Sequence, residues 1–186
     1  MGHAPLRLEL VASLASTTRD ELASLEVGDA WLPLGGWLAH REGDALLGDV
    51  WLAAPCAAVG WCAVLRPNGE IVLGHQTMQT RETQDAEPSS PTASTGQVAG
   101  QVAGQVAEAL ADVPVVVRVE VGSVTLSARE WAALQPGDVL TTGCRIAERA
   151  TMRIGGIEVA RGELVDVEGE LGVRIHEIVA SKEGGR

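Results

Sequence analysis

The side chains that could ligate a metal or attack a substrate are few and scattered. Cys56, Cys62 and Cys144 are an odd number without Cys-x-x-Cys spacing, and His40 and His75 stand apart from them with no recognisable zinc-site spacing. Free cysteines are among the most buried residue types, so these three are read as small buried thiols. His176 sits between Ile175 and Glu177 in an alternating run, the setting of a solvated strand residue rather than a general base. Asp29 and Asp138 each follow a Gly, where an Asx side chain bonds nearby backbone N–H groups. Glu158, Glu163, Asp166, Glu168 and Glu170 read as the solvent-facing rim of a sheet. No GxxxxGK[ST], HExxH or GxSxG occurs, so phosphate cradles, zincin helices and hydrolase elbows are absent from the sequence. The expectation is no catalytic residues, no metal, no cofactor and no enzyme.

What the sequence does carry is a repetition. Glu21-Leu22-Ala23-Ser24-Leu25-Glu26-Val27-Gly28-Asp29-Ala30-Trp31 aligns without a gap on Glu130-Trp131-Ala132-Ala133-Leu134-Gln135-Pro136-Gly137-Asp138-Val139-Leu140. Upstream, Leu6-Arg7-Leu8-Glu9-Leu10 matches Val117-Arg118-Val119-Glu120-Val121, with an acid at the same place. Downstream, Asn68-Gly69-Glu70 mirrors Glu168-Gly169-Glu170. Two copies of one β-rich unit, each of about 65–75 residues, are small enough that association helps them fold. An intramolecular pseudo-dimer is the leading expectation.

Composition sets the outer limits. The 186 residues are 46% hydrophobic, ample for a core. A formal charge of −11, with 14 Lys and Arg and no basic cluster, argues against nucleic acid and anionic membrane as partners. No apolar run approaches the roughly 20 residues of a membrane span, and the first residues lack a signal-peptide layout, so a cytoplasmic protein without membrane insertion is expected.

Local signals place the elements. In the second unit, Val115–Val121 and Val124–Leu126 about Gly122-Ser123 predict a hairpin. Ser127 with Glu130 predicts a capping box on a helix over Ala128–Leu134. Pro136-Gly137 makes a turn, and strands follow at Val139–Thr141, Ala150–Ile154, Ile157–Val167 and Leu171–Ile178. The first unit repeats this with a strand over Leu6–Leu14, Thr18 capping a helix over Arg19–Leu25, and strands at Trp31–Leu34, Asp49–Ala53, Val59–Leu65 and Glu70–Gly74. Gly35–Gly48 is longer than its counterpart. Thr80–Thr95 has no apolar residue larger than Ala and reads as a flexible linker. The thrice-repeated Gly-Gln-Val-Ala that follows sets Val98, Val102, Val106 and Leu110 on one helical stripe, weakened by its glycines. The fold class is mainly β with short helices, organised as residues 4–76, a linker over 77–112, and residues 113–180.

The second unit runs in order through Val113-Pro114-Val115, Leu134-Gln135-Pro136-Gly137-Asp138-Val139-Leu140, Ile154-Gly155-Gly156-Ile157-Glu158-Val159-Ala160-Arg161-Gly162-Glu163-Leu164 and Gly172-Val173-Arg174-Ile175-His176-Glu177-Ile178. On these residues it resembles a SpoA (surface presentation of antigens) domain. Two SpoA domains in tandem, the first divergent, are the arrangement of the C-terminal part of the type III secretion sorting-platform family SctQ (YscQ, HrcQ, SpaO), related to flagellar FliM and FliN. That resemblance implies an intertwined intramolecular pseudo-dimer at the cytoplasmic base of a secretion apparatus. The implied role is a structural adaptor that docks an ATPase regulator of the SctL/FliH family, contacts an SctK-type adaptor and supports loading of export chaperones or effectors. It also implies a short C-terminal SctQ product as partner, with Met78 the one Met placed as its internal start and valine codons near Val98 to Val113 as alternatives. The apolar strand after the Gly-Asp turn is implied as the docking surface, namely Val139 and Leu140 with Trp31 and Leu32. The alternatives are a flagellar motor switch component of the FliM or FliN kind, and a small β-barrel ligand-binding module.

Overall fold

The computed structural model describes residues 5–33, 35–55, 57, 59–78, 114–142 and 149–179. The linker with its Gly-Gln-Val-Ala repeats, Cys56, Cys144 and Val113 lie outside them.

Each half opens with a long strand that runs into a capped helical turn. In the first half β1 (Pro5–Thr18) leads to α1 (Arg19–Ala23), and the Thr18 hydroxyl accepts the Glu21 N–H. In the second, β7 (Pro114–Ser127) leads to α2 (Ala128–Ala133), where Ser127 and Glu130 form the reciprocal capping box that their spacing predicts. The intervening first-half strands are β2 (Ala30–Trp31), β3 (Ala39–Glu42), β4 (Ala45–Ala53), β5 (Val59–Leu65) and β6 (Glu70–Met78). The second half continues with β8 (Val139–Thr141), β9 (Ala150–Ile154), β10 (Ile157–Val167) and β11 (Glu170–Ile178).

Two expectations need correction. Gly122-Ser123 is no turn, because β7 continues straight through it and pairs with β1 along its whole length, from Pro5 opposite Ser127 to Thr18 opposite Pro114. The Gly sits beside an irregularity in the ladder instead. The Trp31–Leu34 strand shrinks to two residues: Pro33 has no N–H to continue a ladder. The extra length of Gly35–Gly48 is spent on β3, which folds back on β4.

All strands join one antiparallel sheet in the order β2-β11-β10-β9-β7-β1-β4-β5-β6-β8, with β3 off this path on β4. Exchange β1 with β7, β2 with β8, β4 with β9, β5 with β10 and β6 with β11, and the order reads backwards as itself. The β1–β7 register carries the same symmetry. It skips Ala12 on one strand and Val121 on the other, and between these two bulges Val11 faces Glu120 at the centre of a pseudo-twofold relation. Glu9 is thereby equivalent to Arg118, not to Glu120: the strands keep the offset of Glu21 on Glu130, and the expected match of Leu6–Leu10 to Val117–Val121 is two residues out of step with it.

The halves also exchange their shortest strands. β2 of the first half pairs with β11 of the second through Trp31 opposite Val173, and β8 of the second pairs with β6 of the first through Leu140 opposite Ile71. A continuous core of Leu8, Leu10, Leu52, Leu65, Ile71, Val117, Val119, Met152 and Ile175 is drawn from both halves. Arg41 of β3 adds a cross-half tie, donating to the carbonyl of Leu164 at 3.2 Å. A two-stranded edge exchange of this kind closes off backbone groups that a small unit alone would leave open.

Candidate partner-binding site

The Gly-Asp turn that precedes each exchanged strand is built twice with the same bonds. Asp29 accepts the Glu26 N–H on its carboxylate at 2.8 Å, and Asp138 accepts the Gln135 N–H at 2.8 Å. Gly28 and Gly137 hold φ of 103° and 93°, the left-handed region that such a turn requires. Each turn is then fastened to the opposite half. Gly28 donates to the Ile175 carbonyl at 2.8 Å and Asp29 accepts from Ile175; Gly137 donates to Leu73 at 2.7 Å and Asp138 accepts from Leu73. The two aspartates thus serve turn geometry, as their position predicts.

These turns carry the four residues expected to contact a partner, and the fold separates them into two pairs at opposite ends of the strand order. Trp31 is only 3% exposed and belongs to the core. Leu32 is half-buried and lies over Gly172, where any Cβ would come within 2.6 Å of its methyl. Leu140, also half-buried, packs against the core, while Val139 stands 52% exposed. Val139 is the one of the four that offers a free apolar side chain.

A second apolar surface lies where no sequence signal pointed. On the outer face of the first half, β4, β5 and β6 with Leu14 and Leu38 enclose a groove of about 460 Å³, lined by Trp51, Cys62, Val64 and His75 among others. Val64 is 45% exposed. Cys62 is a free thiol and only half-buried, which corrects its reading as a core residue. Beneath the groove Trp51 packs with Val11, Ala53 and Leu14 in a cluster separate from the main core, and the Arg118 guanidinium lies 4.9 Å from the Trp51 ring centre.

The same positions in the second half are polar, and all but one are charged. Glu120 stands where the first half has Val11, and by strand register Thr151 replaces Trp51, Arg153 replaces Ala53, Arg161 replaces Cys62 and Glu163 replaces Val64. Arg153 donates to Glu120 at 2.8 Å and to Glu158 at 3.0 Å. Arg161 bridges Glu158 and Glu177, and Glu163 meets Arg174 at 3.3 Å and His176 at 3.4 Å. The outer surface is therefore apolar on one side of the pseudo-twofold and ion-paired on the other.

Glu120 is the charged residue with most at stake, being 4% exposed beside the seam. Burial raises its carboxyl above the ordinary 4.5, outweighing the opposing pull of Arg153, and nearby Glu9 pushes the same way. A carboxyl whose folded value is raised holds a proton that the unfolded chain has released. Its contribution to stability is thus greatest at low pH and falls as pH rises through the raised value. The expected result is that the difference in thermal midpoint between Glu120→Gln and the native chain shifts in favour of the substituted chain as pH goes from about 5 to about 7. A difference that moves the other way would mean the Arg153 pair, not burial, controls this group.

Comparison with known proteins addresses the second half. Residues 108–180 match the family described as the type III flagellar switch regulator (C-ring), FliN C-terminal domain. Over 72 residues the chain is 33% identical to the flagellar motor switch protein FliN of Pectobacterium carotovorum subsp. carotovorum, covering 39% of this chain and 68% of that one. The chain belongs to this C-ring switch family. The FliN of Escherichia coli K12 is 33% identical over 72 residues, 39% of this chain and 53% of its own. The Pseudomonas aeruginosa FliN is 29% identical over 72 residues, 39% of this chain and 46% of its own. The chain thus spans about half the length of these last two relatives.

The matched FliN-type region contains β7 through β11, so it includes the capping box, the Gly137-Asp138 turn, exchanged β8 and the ion-paired outer face. The groove lies in the other half, outside the match. Its residues escaped sequence reading because Val50-Trp51-Leu52-Ala53 is apolar on both faces of its strand and gives no sign of which side meets water. No described helix is long and apolar enough to cross a membrane.

Proposed function

We propose that this chain is a non-enzymatic structural component of a C-ring-type assembly, in the manner of the flagellar motor switch protein FliN. The observation that carries this reading is the family match over 108–180, which coincides with one complete strand-and-turn half. On this reading the first half, residues 4–76, is a divergent copy of the SpoA domain at 113–180, and the pair behaves as one pseudo-dimer. It is located on the cytoplasmic side of the apparatus and docks an ATPase regulator of the FliH/SctL family through β8, with Val139 as contact and Leu140 as its anchor. Trp31 and Leu32 occupy the equivalent place on β2, where buried Trp31 holds the strand rather than touching a partner.

A second reading, a sorting-platform protein of the SctQ family with SctK-type, chaperone and short-product partners, is favoured by one feature. Two halves of a single chain make the pair, whereas the FliN match accounts for one. Expression in a strain lacking its flagellar switch protein, and in one lacking its secretion platform protein, separates the two: motility returns on the first reading and secretion on the second.

The docking residue has its own test. Val139→Asp adds a charge to an exposed position, so the unfolding free energy should stay within about 0.5 kcal/mol of the native chain. Affinity for a FliH/SctL-type N-terminal peptide, followed by titration calorimetry, should fall at least roughly tenfold. Unchanged affinity would remove β8 from the docking surface.

A further inference from the structure

The apolar groove on the outer face is not something the architecture needs. Its pseudo-symmetric counterpart is a ladder of ion pairs on the same strands, with Thr151, Arg161 and Glu163 in place of Trp51, Cys62 and Val64. A half-exposed valine and a half-buried thiol around a Trp-floored hollow are what remains after that ladder is replaced by an uncharged surface, and such a surface calls for an occupant.

The occupant we infer is the chain's own stripe of Val98, Val102, Val106 and Leu110. Three features converge on it. The rim of the groove includes Gly74, His75 and Thr77 of β6, and the chain leaves that strand at Met78, so residues 79–113 start at the groove itself. Only about 20 residues separate Met78 from Val98, a tether with a root-mean-square span of roughly 25 Å if unstructured. The chemistry also agrees. From Pro88 to Ala107 the chain has no charged residue, although 21% of the whole is charged, and the groove lining has Asp49 and His75 as its only titratable groups apart from the thiol. The second half's outer face could not take such a segment without burying its ion pairs.

Tethering decides whether so small a contact is occupied. A tether of this length, if unstructured, gives a local concentration on the order of millimolar. A stripe that binds with an intrinsic Kd of roughly 100 µM would then fill the groove about nine-tenths of the time. The consequence is a surface that is masked within the chain, so that another protein reaching for it must first displace residues 98–110. This inference concerns the first half and stands apart from the docking role given to β8.

Cys62 makes the groove measurable. With Cys56→Ser and Cys144→Ser it becomes the one remaining thiol. Its maleimide labelling should be about tenfold faster in a chain that also carries Val98→Asp, Val102→Asp and Val106→Asp than in one that keeps the valines, in line with the occupancy above. Under mild oxidation Val102→Cys should bridge to Cys62 and Gln101→Cys should not, at a rate independent of protein concentration. A chain lacking residues 96–107, given a synthetic peptide of residues 94–112, should regain protection; this arm leaves every described strand unaltered. Equal labelling with and without the valines, bridging that ignores the stripe, protection of the intact chain that disappears on dilution, or a peptide that protects nothing at millimolar concentration would each overturn the inference.

Discussion

A chain cut at any bond between residues 79 and 113 is expected to elute from a sizing column as one particle, at the volume of the intact protein. The halves are joined by far more than the link that is cut. β1 and β7 pair along their full length, β2 completes the second half and β8 completes the first. Pulling them apart would expose Leu8, Leu10, Val117 and Val119, all fully buried, along with two open sheet edges. Each fragment alone falls in the size range where one core is marginal. Denaturant should therefore release the fragments and unfold them in one transition, whose midpoint drops with dilution because association has become bimolecular. Two separate peaks in plain buffer would show that each half stands alone, and the pseudo-dimer reading would go with them.

Trp31→Ala is expected to cost roughly 3–5 kcal/mol, a large part of the ~5–15 kcal/mol that holds a domain together. The indole is 3% exposed and sits on a strand only two residues long, so nothing local replaces it. Its removal empties a cavity beside Val173 and frees β2 from β11. Leu140→Ala at the equivalent place should cost less, about 1–2 kcal/mol, because the side chain is half-buried. Urea unfolding of the two variants compares them directly. If the order were reversed, the exchanged strand of the second half would be the main clasp.

Much of this fold was legible in the residues because it is decided locally. The capping box of Ser127 and Glu130 forms as their spacing requires, and β5, β9 and β10 have the bounds that their alternation and flanking glycines set. The Gly-Asp turns are legible for the same reason, since their hydrogen bonds close within three residues. The hairpin expected at Gly122-Ser123 failed because a Gly-Ser pair looks alike in a turn and beside a bulge. What distinguishes them is β1, a partner more than a hundred residues away. The strand expected over Trp31–Leu34 stops at Trp31 because the apolar run predicts extension while Pro33 lacks the N–H to continue the ladder. Of the candidate site, Val139 is exposed as a contact must be, and Trp31 is not. The outer groove was illegible because its apolar lining shows only by contrast with the charged mirror positions, and that comparison needs the strand register.

The exchanged short strands also have a consequence in time. During synthesis Trp31 leaves the ribosome early, while Val173, the residue it pairs with, is among the last to be made. At roughly 5–20 residues per second the nascent first half waits many seconds with one buried position unfilled. Its β6 edge meanwhile lacks β8. Neither half has a finished state to rest in, so no early product is committed before the other exists, and the last step of folding is set by contacts of very long sequence separation, the slow kind. The β6–β8 exchange can close once Thr141 has been made, but β2 has to wait for β11.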